Sequence, residues 1–190
     1  MKRSPGYSLT ELVVTLAVAM ILIAVGLPAF LRAYHSYQLS NAATQVKDMM
    51  LLTRYEAIRL NQPINCIIQP SATNPGMTSL WADSNRNNQL DPTEKTILLG
   101  TSGNLVDSGT VPGISTLFTA LGLLVPTSPS PSGSTVKFDA RGAVIPPTNV
   151  TVFYLASSAP EAGYRAVLLL PAGSVQMWTS DASGNWQQQQ

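Results

Sequence analysis

Residues 6–31 read GYSLTELVVTLAVAMILIAVGLPAFL, an apolar run with one carboxylate, Glu11, near its start and one proline, Pro28, near its end. No charged residue occurs from Leu12 to Leu31. At about 1.5 Å per helical residue this stretch spans roughly 30 Å, the thickness of a bilayer's hydrocarbon core, so the segment can cross a membrane. Lys2 and Arg3 precede it, and the bias of positive charge toward the cytoplasm puts the N-terminus inside and the bulk of the chain outside. Glu11 is the anomaly, because a carboxylate in a span is costly, about 2.5–3.5 kcal/mol for a central Asp, unless it finds a partner. A cut after Gly6 would place a new ammonium on Tyr7, close enough along the chain to serve.

Residues 1–6 followed by Tyr7-Ser8-Leu9-Thr10-Glu11-Leu12 resemble the class III leader and cleavage site of type IV pilins and pseudopilins. The usual pattern of that family is Gly, then Phe-Thr-Leu-Ile-Glu-Leu. A short basic leader, Gly at the cut, Glu fifth after it and Pro28 as the twenty-second mature residue all coincide, whereas Tyr7 stands for Phe and Thr10 for Ile. The resemblance implies that Gly6 is required by a prepilin peptidase, that Tyr7 becomes the N-methylated mature terminus, and that Glu11 pairs with a terminal amine during assembly. It further implies a single-pass protein of the bacterial inner membrane with a periplasmic head, which passes through an inner-membrane assembly platform into a pilus or pseudopilus beside other pilins. The alternative is an ordinary signal peptide or uncleaved anchor; no clear pair of small residues ends the run as general signal peptidase needs.

Past Pro28 the pattern remains helical. Leu39, Ala42, Ala43, Val46, Met49, Met50, Ala57 and Leu60 recur at steps of three and four, with Gln38, Asn41, Gln45, Lys47, Asp48 and Glu56 largely outside the stripe. The helix ends where Asn61-Gln62-Pro63 prevents continuation. Pro28 itself, just after Gly26, removes a backbone hydrogen bond at about 3 kcal/mol in a helix interior, so a kink or local melting is expected there.

After Pro63 the period becomes strand-like at 64–69, 78–82, 96–99, 135–139, 150–156, 164–170 and 174–179, with turns at Asn74-Pro75-Gly76, Arg141-Gly142, Ala162-Gly163 and Ala172-Gly173. The short links predict antiparallel pairing. The expected fold class is therefore α+β: a long N-terminal helical spine, membrane-spanning in its first half, packed on a C-terminal antiparallel β-sheet head of the type IV pilin-like kind. Its parts are a leader at 1–6, a transmembrane or filament-core helix at 7–31, an amphipathic helix at 32–61 and a β-rich head at 62–190. Residues 101–133, rich in Gly, Ser, Thr and Pro around an apolar island at 114–125, read as a flexible insertion, and the tail 187–190 as disordered.

With 190 residues, 45% of them hydrophobic, the chain suits one globular head plus an anchor. After Asn61 it carries five basic residues (Arg86, Lys95, Lys137, Arg141, Arg165) against seven acidic ones (Asp83, Asp91, Glu94, Asp107, Asp139, Glu161, Asp181), a net −2. That disfavours nucleic acid as a partner, since phosphate binding needs clustered Lys and Arg. Cys66 is the only cysteine, so no intramolecular disulfide forms, and its apolar surroundings at 64–68 mark it as a buried small hydrophobe. His35, the only histidine, is expected to face solvent or a filament neighbour. A His-dependent hydrolase has almost nothing to work with.

The order of spine, β head, VKFDARG and YRAVLLLPAGSVQMW resembles the subfamily of the type II secretion minor pseudopilin H and the type IV minor pilin T. There a strand ending in Phe and a turn Gly is followed by two final strands around another Gly, places filled here by Phe138, Gly142 and Gly173. Some T-type pilins take part in DNA uptake through Gly-Arg-x-Arg on the last hairpin; this chain has Gly173-Ser174-Val175-Gln176 and lacks both guanidiniums.

One constellation has metal-like spacing. Asp83, Asn85, Asn87, Gln89, Asp91 and Glu94 fall at positions 1, 3, 5, 7, 9 and 12 of an EF-hand loop, with Leu90 at the apolar eighth position. Asn88 occupies the sixth position, where such loops carry Gly, and strands rather than helices are expected on either side. A calcium site and a loop whose Asp and Asn side chains bond their own backbone are both compatible with this spacing.

The leading expectation is a structural subunit of a type II secretion pseudopilus or a type IV pilus. The alternatives are a minor pilin for DNA uptake and a membrane-tethered periplasmic enzyme. For the enzyme, the sequence shows no nucleophile, base and orienting group brought together.

Overall fold

The computed structural model describes residues 8–100, 102–122, 128–147 and 150–189. Helix α1 runs from Leu9 to Leu60 and is followed by strands β1 (Ile64–Pro70), β2 (Thr78–Asp83), β3 (Thr96–Leu99) and β4 (Asn104–Val106). Helix α2 (Ile114–Leu121) precedes β5 (Ser134–Phe138), β6 (Val144–Ile145), β7 (Thr151–Ala156), β8 (Tyr164–Leu169), β9 (Val175–Ser180) and β10 (Trp186–Gln188). The chain divides into two compact units, 1–34 and 35–190.

In the first unit every described residue is exposed, including Leu12, Val18, Ile21 and Phe30. The helix passes through Pro28 without a break, so the expected local melting is absent. A proline deletes its own N–H bond only, and the intact bonds of adjacent turns carry the helix across it.

The second unit holds two antiparallel five-stranded sheets, ordered β3-β2-β1-β5-β6 and β10-β9-β8-β7-β4. Between them lies the helix stripe: Leu39, Ala43, Val46 and Met50 are completely buried against Ile64, Cys66 and Ile68 of one sheet and Phe153, Leu155, Val167 and Leu169 of the other. Burying one such side chain contributes about 1.5–3 kcal/mol, which makes this seam the main source of cohesion. The predicted stripe departs from the structure at one end, where Leu60 is exposed, and it omitted Thr53, which is fully buried. Thr53 avoids an unsatisfied hydroxyl by donating to the Met49 carbonyl at 2.8 Å.

β7 and β8 are buried on both faces. Their odd residues Phe153, Leu155, Val167 and Leu169 face the helix core, while the even residues Val152, Tyr154, Ala166 and Leu168 form a second core with Trp178, Val111 and Leu117. The period of two along a strand produces this division. Leu117 belongs to α2, so the segment expected to be a flexible insertion carries, in its described residues, a strand pairing with β7 and a helix covering the second sheet. The tail expectation is corrected likewise: Trp186–Gln188 pairs with β9, and the Trp186 indole donates to the Pro112 carbonyl at 3.2 Å. Polar composition concealed both elements, because their order comes from distant partners. Residues 123–127 lie outside the described residues.

The two sheets meet at their turns. Val144 N donates to the Pro171 carbonyl at 2.9 Å, and Gly142 and Gly173 both have φ near +80°. A Cβ on Gly173 would stand 2.1 Å from the Gly142 carbonyl oxygen and 2.9 Å from Arg54 Nε. Glycine is required there by conformation and by space. Gly173→Ala is expected to cost more than 2 kcal/mol, whereas Gly76→Ala, at φ +79° with open space around it, is expected to cost only the left-handed penalty of about 1–2 kcal/mol. Denaturant unfolding of the full chain in detergent checks the contrast; equal losses would contradict it.

Candidate functional site

At the start of α1 the Ser8 hydroxyl accepts a hydrogen bond from Glu11 N at 3.2 Å, and Glu11 Oε2 accepts one from Ser8 N at 3.0 Å. This reciprocal pair is a capping box: two of the helix's otherwise unpaired N–H groups are satisfied by side chains three residues apart. The sequence signal is Ser8-Leu-Thr-Glu11, an S-x-x-E before an apolar run, and reading Glu11 only as an assembly residue passed over it. In this chain Glu11 has a local partner. Gly6 and Tyr7 lie outside the described residues, and Pro28 sits inside α1, away from the capping box.

The loop between β2 and β3 gathers Asp83, Asn85, Asn87, Gln89, Asp91 and Glu94, but it turns their oxygens to its own backbone. Asp83 Oδ1 and Oδ2 accept Asn87 N and Asn88 N, both at 3.1 Å. Glu94 accepts Ser84 N at 2.9 Å and Asp91 N at 3.2 Å, and Asp91 Oδ2 accepts the side-chain amides of Asn85 and Asn87. Gln89 contributes its backbone N–H, donated to Asn87 Oδ1 at 2.7 Å. Asn88 has φ +57°, supplying the bend that Gly gives in an EF-hand.

Calcium needs six to eight oxygens directed at one centre. Among the described residues no three His, Cys, Asp or Glu groups are so gathered; amide and carbonyl oxygens, which calcium also takes, make up the rest of this loop's donor set. Asp83, fully buried, caps the loop through its two bonds to Asn87 N and Asn88 N. Asp83→Ala is expected to cost about 1–3 kcal/mol by removing the acceptor of Asn88 N and one of the two acceptors of Asn87 N, the other being Asn85 Oδ1 at 3.1 Å, equally in EDTA and in millimolar calcium if the loop is only self-capped. A calcium-dependent difference in unfolding free energy would favour the ion reading.

His35 does not face a neighbour alone: its Nδ1 lies 3.0 Å from Glu161 Oε1, a pair about one-third exposed and therefore worth little to stability. Cys66 is fully buried, and burial pushes its thiol up to about 12, opposed by a smaller effect of the neighbouring Thr53 side chain. An ordinary thiol titrates near 8.5, so the folded chain holds this proton more tightly than the unfolded one. The stability from this group is complete below pH about 8.5 and is lost as pH rises toward 12. Iodoacetamide at pH 8 is expected to leave Cys66 unmodified until denaturant unfolds the head; rapid labelling of the native chain would contradict the burial.

At the last hairpin the nearby guanidinium is internal. Arg54 Nη1 donates to the Gly173 carbonyl at 3.1 Å, so this cation is committed to the turn junction and does not replace the absent Gly-Arg-x-Arg pair.

Comparison with known proteins agrees with this architecture. The profile of the family described as "Type II transport protein GspH" matches residues 42–173. Two crystal forms of the type IV minor pilin FimU from Pseudomonas aeruginosa are similar to this chain. The first has TM-score 0.50 at 17% identity over 81% of this chain and 94% of that one. The second has TM-score 0.48 at 18% identity over 80% and 98%. No curated protein matches the chain.

Proposed function

The chain belongs to the GspH family of type II transport proteins, and we propose that it serves as a minor pilin or pseudopilin, a structural subunit of a type II secretion pseudopilus or a type IV pilus. The observation that supports this reading most is one chain carrying both a GspH-type head and an N-terminal apolar helix. That helix is exposed through its hydrophobic stretch and long enough to cross a membrane. An apolar surface of this extent is stable in lipid or against similar helices and not in water.

The precursor sits in the inner membrane with its N-terminus cytoplasmic and its head periplasmic. Prepilin peptidase cuts after Gly6, Tyr7 is N-methylated, and the assembly platform moves the helix from lipid into a bundle with other pilins. The capping box gives the pathway a physical order. Before cleavage Ser8 N–H and the helix end hold Glu11; after it, a terminal ammonium offers the carboxylate a full charge in the same apolar medium, a stronger partner than a neutral N–H.

No catalytic role is proposed: Asp83, Glu94 and Asp139 of the head are engaged with backbone N–H groups of their own loops. DNA uptake is the lesser reading: the head is acidic, the paired guanidiniums at 174–176 are missing, and Arg54 faces inward.

Gly6→Leu is expected to leave an uncleaved precursor. Glu11→Leu should be cleaved and yet enter filaments at least tenfold less. Intact-mass measurement of the membrane-extracted chain, with immunoblots of sheared filaments, reads both. A mature start other than N-methyl-Tyr7, or normal filament entry by the Glu11 variant, would overturn the reading.

A further inference from the structure

We propose that the polar hollow over Arg165 is a docking socket for a carboxylate side chain on the head of a neighbouring pilin subunit. This rests on reading the chain as a filament subunit.

The hollow measures roughly 460 Å³ and lies between α1, the inner face of β8 and β9, and β10. Ser36, Ser40, Thr179, Gln187 and Gln189 line it with hydroxyls and amides beside the Asp181 carboxylate, and Ala162 is the one apolar residue among its lining. Such a surface does not suit an apolar anchor. It suits a charged or strongly polar group that is held by several hydrogen bonds.

Its base is cationic. The strand period that sends Val167 and Leu169 into the helix core sends Arg165 to the same side, where the residue is only 6% exposed. Nε donates to Ser40 Oγ at 3.1 Å, Nη1 to the Ala162 and Tyr164 carbonyls at 3.3 and 2.9 Å, and Nη2 to Ser36 O and Oγ at 3.4 and 2.7 Å. Every acceptor is neutral. Among the described residues, no carboxylate lies within ion-pair distance of this guanidinium. Burial accordingly pulls its pKa down from the usual arginine range.

A buried charge is ordinarily balanced by an opposite one. Here the hydrogen bonds are satisfied and the charge is not. The positions of the hydroxyls show how an incoming anion would meet it. Ser36 Oγ and Ser40 Oγ accept from the guanidinium and still carry their own protons, each polarised by the cation behind it.

Two carboxylates stand nearby, and both are engaged elsewhere. Asp181, an exposed residue of the lining, accepts the Asn185 side-chain amide at 2.7 Å and Asn185 N and Ser183 N at 3.0 and 2.9 Å, which hold its pKa low and commit its oxygens to its own loop. Glu161 is paired with His35. Water screens the exposed Asp181 more than the buried Arg165, so the base of the hollow attracts an anion.

The test uses the full-length chain in native membranes, with a photo-crosslinking residue at Gln187 on the rim. The expected result is a crosslink to another pilin within a few residues of an Asp or Glu. Gln189→Glu should reduce its yield about tenfold, while Gln189→Lys preserves or raises it; both substitutions fall on an exposed side chain and leave the fold intact. A yield indifferent to the charge at 189, or attachment far from any acidic residue, overturns the socket. A crosslinker at Tyr37, on the exposed side of α1, separates the two claims. Pilin adducts from Tyr37 without any from Gln187 refute the socket and keep the subunit reading, whereas no pilin adduct from either position refutes both.

Discussion

The helix stripe Leu39, Ala43, Val46 and Met50 is the constraint on which the head depends. The two sheets share no strand, so no continuous ladder of backbone hydrogen bonds joins them. They meet across the inner face of the helix, where small Ala42 and Ala43 allow close approach and Leu39, Met49 and Met50 fill the remaining space. Removal of this face would leave two apolar sheet surfaces facing water. A second fastening stands at the far end of the stripe, where Arg54 reaches the Gly173 carbonyl and packs against Gly142, locking one turn of each sheet to the helix and to each other.

This arrangement explains why glycine and arginine occur where they do. Gly142 and Gly173 were legible as turn residues; the reason they cannot carry a side chain was not, because it lies in their mutual contact and in Arg54 more than eighty positions earlier. Arg165 is a comparable case. In sequence it is one basic residue at the start of an apolar strand, and register alone places it on the helix side opposite Thr179 and Leu155. Its hydrogen bonds to Ser36 and Ser40 then attach β8 to the helix by polar contacts beyond the apolar seam.

In the 83–94 loop one spacing serves two chemistries. The ligand spacing of a calcium loop is also the spacing of Asx turns, because both require oxygens beside successive backbone N–H groups. The periodicity of side chains cannot distinguish an oxygen aimed at a shared centre from one aimed back at the chain. Asp83 and Glu94 are aimed back. The left-handed Asn88 serves the loop's own closure equally well.

What the sequence determined by itself was local and periodic. The twenty uncharged positions from Leu12 to Leu31, the amphipathic stripe, the seven principal strands and the spacing around Gly6 and Glu11 were all readable, since helix and strand periods and membrane thickness act over short stretches of chain. Tertiary structure alone decided that β4 and α2 join the second sheet, that Trp186 pins the tail, that His35 meets Glu161, and that the buried Arg165 guanidinium donates only to neutral oxygens. Those outcomes depend on which distant surfaces come together, and the polar, turn-rich segments involved have no period of their own to announce it.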